Sequence, residues 1–193
     1  ADQLPERVVT RLDVPMSQRQ RDLHDGALSQ ASSLLQIRKR RPLTPSEKNR
    51  LIAALEQARM ACNAAGLVDK TTRGAPKLEE LRRLLEELVI GADHKVVVFS
   101  QWARMTDMAL EVCKELGIGV VYLHGQIPTA KRGALMDAFR DDPAVRVFLS
   151  TDAGGVGLNL QTADVLINLE MPWNPAILEQ RIARVHRLGQ PRG

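Results

Sequence analysis

From residue 95 onward the sequence repeats one grammar: a short run of β-branched and apolar residues, a polar or glycine-bearing turn, then an amphipathic stretch of helix length. KVVVFS (95–100) is followed by Trp102, Met105, Ala109, Val112 and Leu116 at helical spacing. GVVYLHG (119–125) precedes PTAKRGALMDAFR (128–140), and VRVFLST (145–151) and DVLINLE (164–170) are the next two strand-like runs. Strands that alternate with helices of this length form βαβ units, whose right-handed crossovers build a parallel sheet covered on both faces. The predicted fold is therefore α/β: an open three-layer domain with a mainly parallel sheet.

In such sheets ligands bind outside the carboxyl ends of the strands. The polar residues collect there. Ser100-Gln101-Trp102 follows the first strand, His124-Gly125 the second, Ser150-Thr151-Asp152 and a glycine run the third, and Pro172-Trp173-Asn174 the fourth. All four clusters are expected on one edge.

Residues 16 to 90 read differently. MSQRQRDLHDGALSQASSLLQIRKRR suggests a helix capped near Ser17, and LTPSEKNRLIAALEQARMACNAAGLV places Pro45 and Ser46 before an apolar repeat ending near Gly66. APKLEELRRLLEELV carries Leu78, Leu81, Leu85 and Leu88 at helical spacing. A helical hairpin followed by a packing helix is predicted. The basic run Arg38, Lys39, Arg40 and Arg41 falls at the hairpin tip, either as a solvated end or as a contact to a duplex backbone.

At 193 residues with 44% hydrophobic content, the chain can bury a full core. Its net charge of +4 suits phosphate partners. Aromatics at 3% are too few for the stacking platforms that bind single strands, so any nucleic-acid contact is expected through the backbone. Cys62 and Cys113 form no metal-ligand spacing, and no metal site is expected. With no apolar run of membrane-spanning length and no signal-peptide pattern, the expectation is a reduced cytoplasmic protein without membrane contact, nucleoid-associated if bacterial, and a piece of a longer chain.

Two motifs carry chemistry. STDAGGVGLNLQ (150–161) follows a strand, but the residue where a dinucleotide fingerprint needs its third glycine is Leu160, and no Gly-Lys-Ser or Gly-Lys-Thr of a P-loop occurs in the chain. The loop can bring bare amides and the Ser150 and Thr151 hydroxyls near a phosphate, or can be a tight connection and nothing more. In LEQRIARVHRLGQ (178–190), at about 100° per residue, Gln180, Arg184 and Arg187 fall on one stripe opposite Leu178, Ile182 and Val185. Such a stripe is either a solvated face or a pair of guanidinium forks aimed at phosphate.

FSQW, STDAGGVGLNL, MPWNP and QRIARVHRLGQ, in this order and at these gaps, resemble the second RecA-like lobe of SNF2-family helicase-like ATPases. VPMSQRQRDLHD is similar to the segment that opens that lobe, and the helical hairpin is similar to the family's lobe-2 protrusion. The resemblance implies a lead-in segment and protrusion over 1–76 and a helicase C-terminal lobe with motifs IV, V and VI over 77–193. It implies ATP and Mg²⁺ as cofactors, the Mg²⁺ ligands lying on the N-terminal RecA-like lobe of the same polypeptide, and double-stranded DNA as partner.

Site roles follow the motif matches. Arg187 would be the arginine finger, Arg184 a second phosphate contact and Gln180 the glutamine opening motif VI. Gly155, Gly157 and Asn159 would face the nucleotide; Ser100, Gln101, Ser150, Thr151 and Trp173 would face DNA. Asp152 stands where many eukaryotic members carry Lys, and His124 and Gln126 stand where the family often has DGS. The implied function is the second motor lobe of a DNA-stimulated ATPase that translocates on duplex DNA, inactive without the P-loop lobe. Alternatives are a strand-separating helicase lobe and a non-catalytic DNA- or protein-binding module.

Overall fold

The computed structural model describes residues 10–151 and 162–170. They divide into two compact units, Asp13–Glu79 and a second built chiefly from Glu80 onward, so the division falls inside one helix, α4 (Pro76–Leu85).

The first unit is a hairpin of α1 (Gln18–Arg40) and α2 (Pro45–Asn63), followed by the short α3 (Ala65–Asp69). Both long helices begin in capping boxes. Ser17 Oγ accepts the Gln20 N–H at 3.1 Å while Gln20 Oε1 accepts the Ser17 N–H at 2.8 Å, satisfying two of the orphan donors of the first turn. Gln20 is 2% exposed, and its amide Nε2 donates to Ala61 O at 2.8 Å, tying the start of α1 to the end of α2. Thr44 caps α2, with Pro45 in the first turn, where its missing N–H costs nothing.

Thr44 Oγ1 accepts from Glu47 N, and the Glu47 carboxylate accepts the Thr44 N–H and a bidentate pair from Arg41 at 2.8 and 3.1 Å. Those bonds, the Arg41 guanidinium first, hold the Glu47 carboxyl down at about 2. Between the helices the facing positions are mostly small: Ala27 and Ala31 on α1, Ala54, Ala58 and Ala61 on α2, all buried. Their three- and four-residue spacing makes a narrow stripe on each helix that faces the other.

In the second unit α4 runs on into a π-helical turn, Glu86–Gly91. The sheet follows, entirely parallel among the described residues, in the order β2 (Gly119–Leu123), β3 (Val145–Ser150), β1 (Val96–Phe99), β4 (Val165–Asn168). Val96 pairs with Val147 on one side and Val165 on the other, and all four residues of β1 are buried, as expected for the inner strand of a covered sheet. Helices α5 (Ala103–Glu115) and α6 (Thr129–Asp141) are the crossovers. One layer of core gathers Val97, Phe99, Val121, Leu123, Phe139 and Phe148, with the Phe139 and Phe148 rings edge to face at 5.5 Å. At the start of β2, a Cβ on Gly119 would lie 2.0 Å from Ala144 O, so only glycine fits that irregular register.

Candidate functional site at the carboxyl edge of the sheet

Because every strand runs the same way, the loops that leave β1, β2 and β3 emerge on one edge. Backbone hydrogen bonds carry the ladder a residue past the strands: Ser100 N to Ser150 O at 3.2 Å, Thr151 N to Leu123 O at 3.4 Å, and Leu169 N to Phe99 O at 3.0 Å. The loops therefore start from fixed backbone positions.

Two of the predicted residues sit beneath that edge. Ser100 and Ser150 are fully buried. Ser100 Oγ donates to Glu170 Oε2 at 3.0 Å and accepts the Trp102 N–H at 3.1 Å; the other Glu170 oxygen accepts the Gln101 N–H. Ser150 Oγ donates to Thr151 O at 2.9 Å. Both hydroxyls thus shape the turns that follow their strands, and in this arrangement neither side chain reaches solvent.

Gln101 and Thr151, the other two described residues of the predicted contact set, are brought together. They line one open concavity of about 440 Å³ with Asp107, Tyr122, His124 and Gln126. Tyr122 OH donates to Asp107 Oδ1 at 3.0 Å and lies 2.6 Å from Thr106 Oγ1, and burial pushes its phenol above the usual value. His124 packs against the Tyr122 ring at 4.9 Å, and its Nδ1 accepts the Gln126 N–H at 3.2 Å, which leaves the proton of the neutral ring on Nε2. The lining offers amide, hydroxyl and imidazole groups and no lysine or arginine. Such a wall suits neutral hydrogen bonds to sugar and phosphate oxygens; by itself it lacks the cations that would hold a triphosphate.

Gly155, Gly157, Asn159, Trp173, Gln180, Arg184 and Arg187 lie outside the described residues. Sequence reasoning passed over Glu170, the carboxylate that anchors the β1 loop, and the Tyr122–Asp107–Thr106 cluster. A charged residue closing the apolar run VLINLE was the available signal for Glu170; the Tyr122 cluster is assembled from α5 and β2 and has no local signature. Among the described residues, no three His, Cys, Asp or Glu side chains converge as a metal-binding group. No helix among them is long and apolar enough to cross a membrane.

A wholly parallel sheet with its polar loops on the carboxyl edge is the architecture of a RecA-like lobe, and the comparisons with known proteins agree. The model of the helicase conserved C-terminal domain matches residues 76–189. The chain is 40% identical over 107 residues to the uncharacterized ATP-dependent helicase YqhH of Bacillus subtilis, covering 55% of this chain and 19% of that protein. It is 34% identical over 158 residues to a mouse SWI/SNF-related matrix-associated actin-dependent regulator of chromatin (subfamily A member 1), covering 75% and 15%. The fold superposes on the Sulfolobus solfataricus SWI2/SNF2 ATPase core solved with double-stranded DNA, with a TM-score of 0.73, 22% identity, and coverage of 93% of this chain and 37% of that one. The chain belongs to the helicase conserved C-terminal domain family, as an SNF2-type C-terminal RecA-like lobe. It spans less than a fifth of the length of the curated relatives it matches.

Proposed function

We propose that this lobe is the second half of a DNA-stimulated ATPase motor that translocates on duplex DNA. The observation that carries the reading is the pairing of Gln101 and Thr151 across one neutral, hydrogen-bonding concavity at the sheet's carboxyl edge, in a chain of the SNF2 type. Contacts of that chemistry go to phosphate and sugar, so they hold the protein on a duplex while carrying little sequence information. In this reading Gln101, Thr151 and Trp173 touch the DNA backbone, and Ser100 and Ser150, buried as they are, position the loops that do so.

ATP, when bound between this lobe and the N-terminal lobe of the same polypeptide, supplies the hydrolysable γ-phosphoryl group, and Mg²⁺ is held by carboxylates of that other lobe. Gly155, Gly157 and Asn159 approach the nucleotide through bare backbone. Arg187 neutralises charge developing on the γ-phosphate, Arg184 makes a second phosphate contact, and Gln180 supports the stripe. The isolated lobe does not hydrolyse ATP, and the intact motor works where the DNA is, the cytoplasm of a bacterial cell.

The test is the ATPase rate of the two-lobe parent, with and without duplex DNA, for wild type and Arg187→Ala. The expected result is a DNA-stimulated rate that falls about a hundredfold or more, roughly 2.7 kcal/mol of transition-state stabilisation, with nucleotide binding retained. A variant that keeps its DNA stimulation removes the finger from Arg187; a wild-type parent with no turnover overturns the motor reading.

A further inference from the structure

The helical hairpin presents a surface that its own packing does not use. Leu28 (42% exposed) and Leu35 (41%) on α1, with Ile52 (62%) and Leu55 (44%) on α2, leave large apolar side chains in water. Single exposed apolar residues are ordinary, but these form a group. Taking about 100° per residue from the buried stripe, Leu28, Leu35 and Leu55 all stand about 80 to 100° to the same side of it. In an antiparallel pair that rotation brings both sets to one face of the hairpin. The half-buried Leu51 lies between them and the interhelical seam.

Charge frames this apolar strip at both ends. Lys39 and Lys48 project on the same side at the tip, and Arg21 and Arg59 at the base, with Lys39, Lys48 and Arg21 exposed. The acidic side chains do not counter them there: Asp22 and Glu56 turn toward the opposite side, and Asp25 faces His24 at 3.2 Å. A phosphate backbone would meet the cations and leave four apolar side chains uncovered. An apolar stripe with acidic residues at its two ends would satisfy both.

We propose that the α1–α2 hairpin carries a docking face for an amphipathic protein helix whose apolar stripe is flanked by acidic side chains. The mode is a helix laid along a groove between two helices, with i, i+3, i+4 and i+7 anchors on Leu28, Leu35, Ile52 and Leu55. This inference stands on the hairpin alone and does not depend on the motor reading.

The probe is a fluorescein-labelled helical peptide of about 18 residues, close to the length α2 offers, with leucines on one stripe and glutamates at both ends. A second probe carries lysines in place of the glutamates. Fluorescence anisotropy with the intact chain is expected to show saturable binding of the glutamate probe, weakened about tenfold or more by Leu55→Asp or by the milder Leu28→Ser. Lys48→Glu, a rim change that leaves packing intact, is expected to weaken the glutamate probe and strengthen the lysine probe. Hydrogen exchange should show protection confined to α1 and α2.

Equal affinity for the two probes, no binding of either, or protection elsewhere would overturn the proposal. So would displacement of the probe by short duplex DNA, which gives the face to nucleic acid. A wild-type dimer dissolved by Leu55→Asp in sedimentation gives it to a second copy of the chain.

Discussion

Glu170 shows how much one side chain at the end of a strand can govern. It is 9% exposed, and its two oxygens accept from Ser100 Oγ and from the Gln101 N–H, so the end of β4 holds the turn that follows β1. Removing the acceptor leaves buried donors without a partner, which costs more than a hydrogen bond is worth in net terms. Glu170→Ala is expected to destabilise the α/β unit by about 1–3 kcal/mol in urea unfolding. Ser100→Ala, which also deletes its own donor, is expected to cost less; equal costs would mean that Glu170 acts through packing instead. Glu47 makes a second prediction. Its folded-state value of about 2 lies below the ordinary 4.5, so its contribution is fully present above pH 4.5 and is lost as pH falls toward 2. Glu47→Gln should flatten the acid limb of the helical unit's stability between those two values, read by circular dichroism along a pH series.

At the scale of elements, β2 depends on a residue with no side chain. Gly119 opens the strand against the carbonyl of Ala144, and an added methyl would occupy that oxygen's position. Gly119→Ala is expected to cost on the order of 1–3 kcal/mol or more through forced backbone movement, seen as a lowered midpoint of thermal unfolding. Gly133, inside α6, has nothing within 4 Å of its would-be Cβ, so Gly133→Ala should be neutral or stabilising by about 0.5–1 kcal/mol. The sequence signals at this scale were strong where local chemistry decides. Ser17 was legible as a cap because a hydroxyl three residues before Gln20 can close a capping box. The start of α2 fell to Thr44 and Pro45, one turn-forming step ahead of Ser46, because Glu47 selects the residue whose N–H it can reach. The π-helical turn at Glu86–Gly91 had no legible cue: Leu88 continues the apolar spacing, while the extra residue in the turn follows from where the chain must enter β1.

For the molecule as a whole, the family to which the chain belongs pairs this lobe with another, and the described lining at the carboxyl edge offers no cation. The isolated chain is accordingly expected to show no ATP turnover above background, with or without DNA, and turnover is expected once the N-terminal lobe is restored. Measurable hydrolysis by the isolated chain would place a complete site within these residues. Duplex translocation predicts triplex displacement by the parent without strand separation, which distinguishes the motor from a strand-separating helicase.

The periodicities of apolar residues determined the α/β class, the parallel sheet and the helical hairpin, since burial on both faces of a strand or on one stripe of a helix is written directly in residue order. Motif order likewise determined the family. Tertiary structure alone decided the strand order β2-β3-β1-β4 and the burial of Ser100 and Ser150 beneath a rim formed by Gln101 and Thr151. It also decided the convergence of Glu170 on a loop 69 residues earlier in the chain. Local chemistry acts over a few residues and fixes caps, turns and periods. Which hydroxyl faces solvent and which faces a carboxylate depends on neighbours that only the packed sheet brings within 3 Å or so.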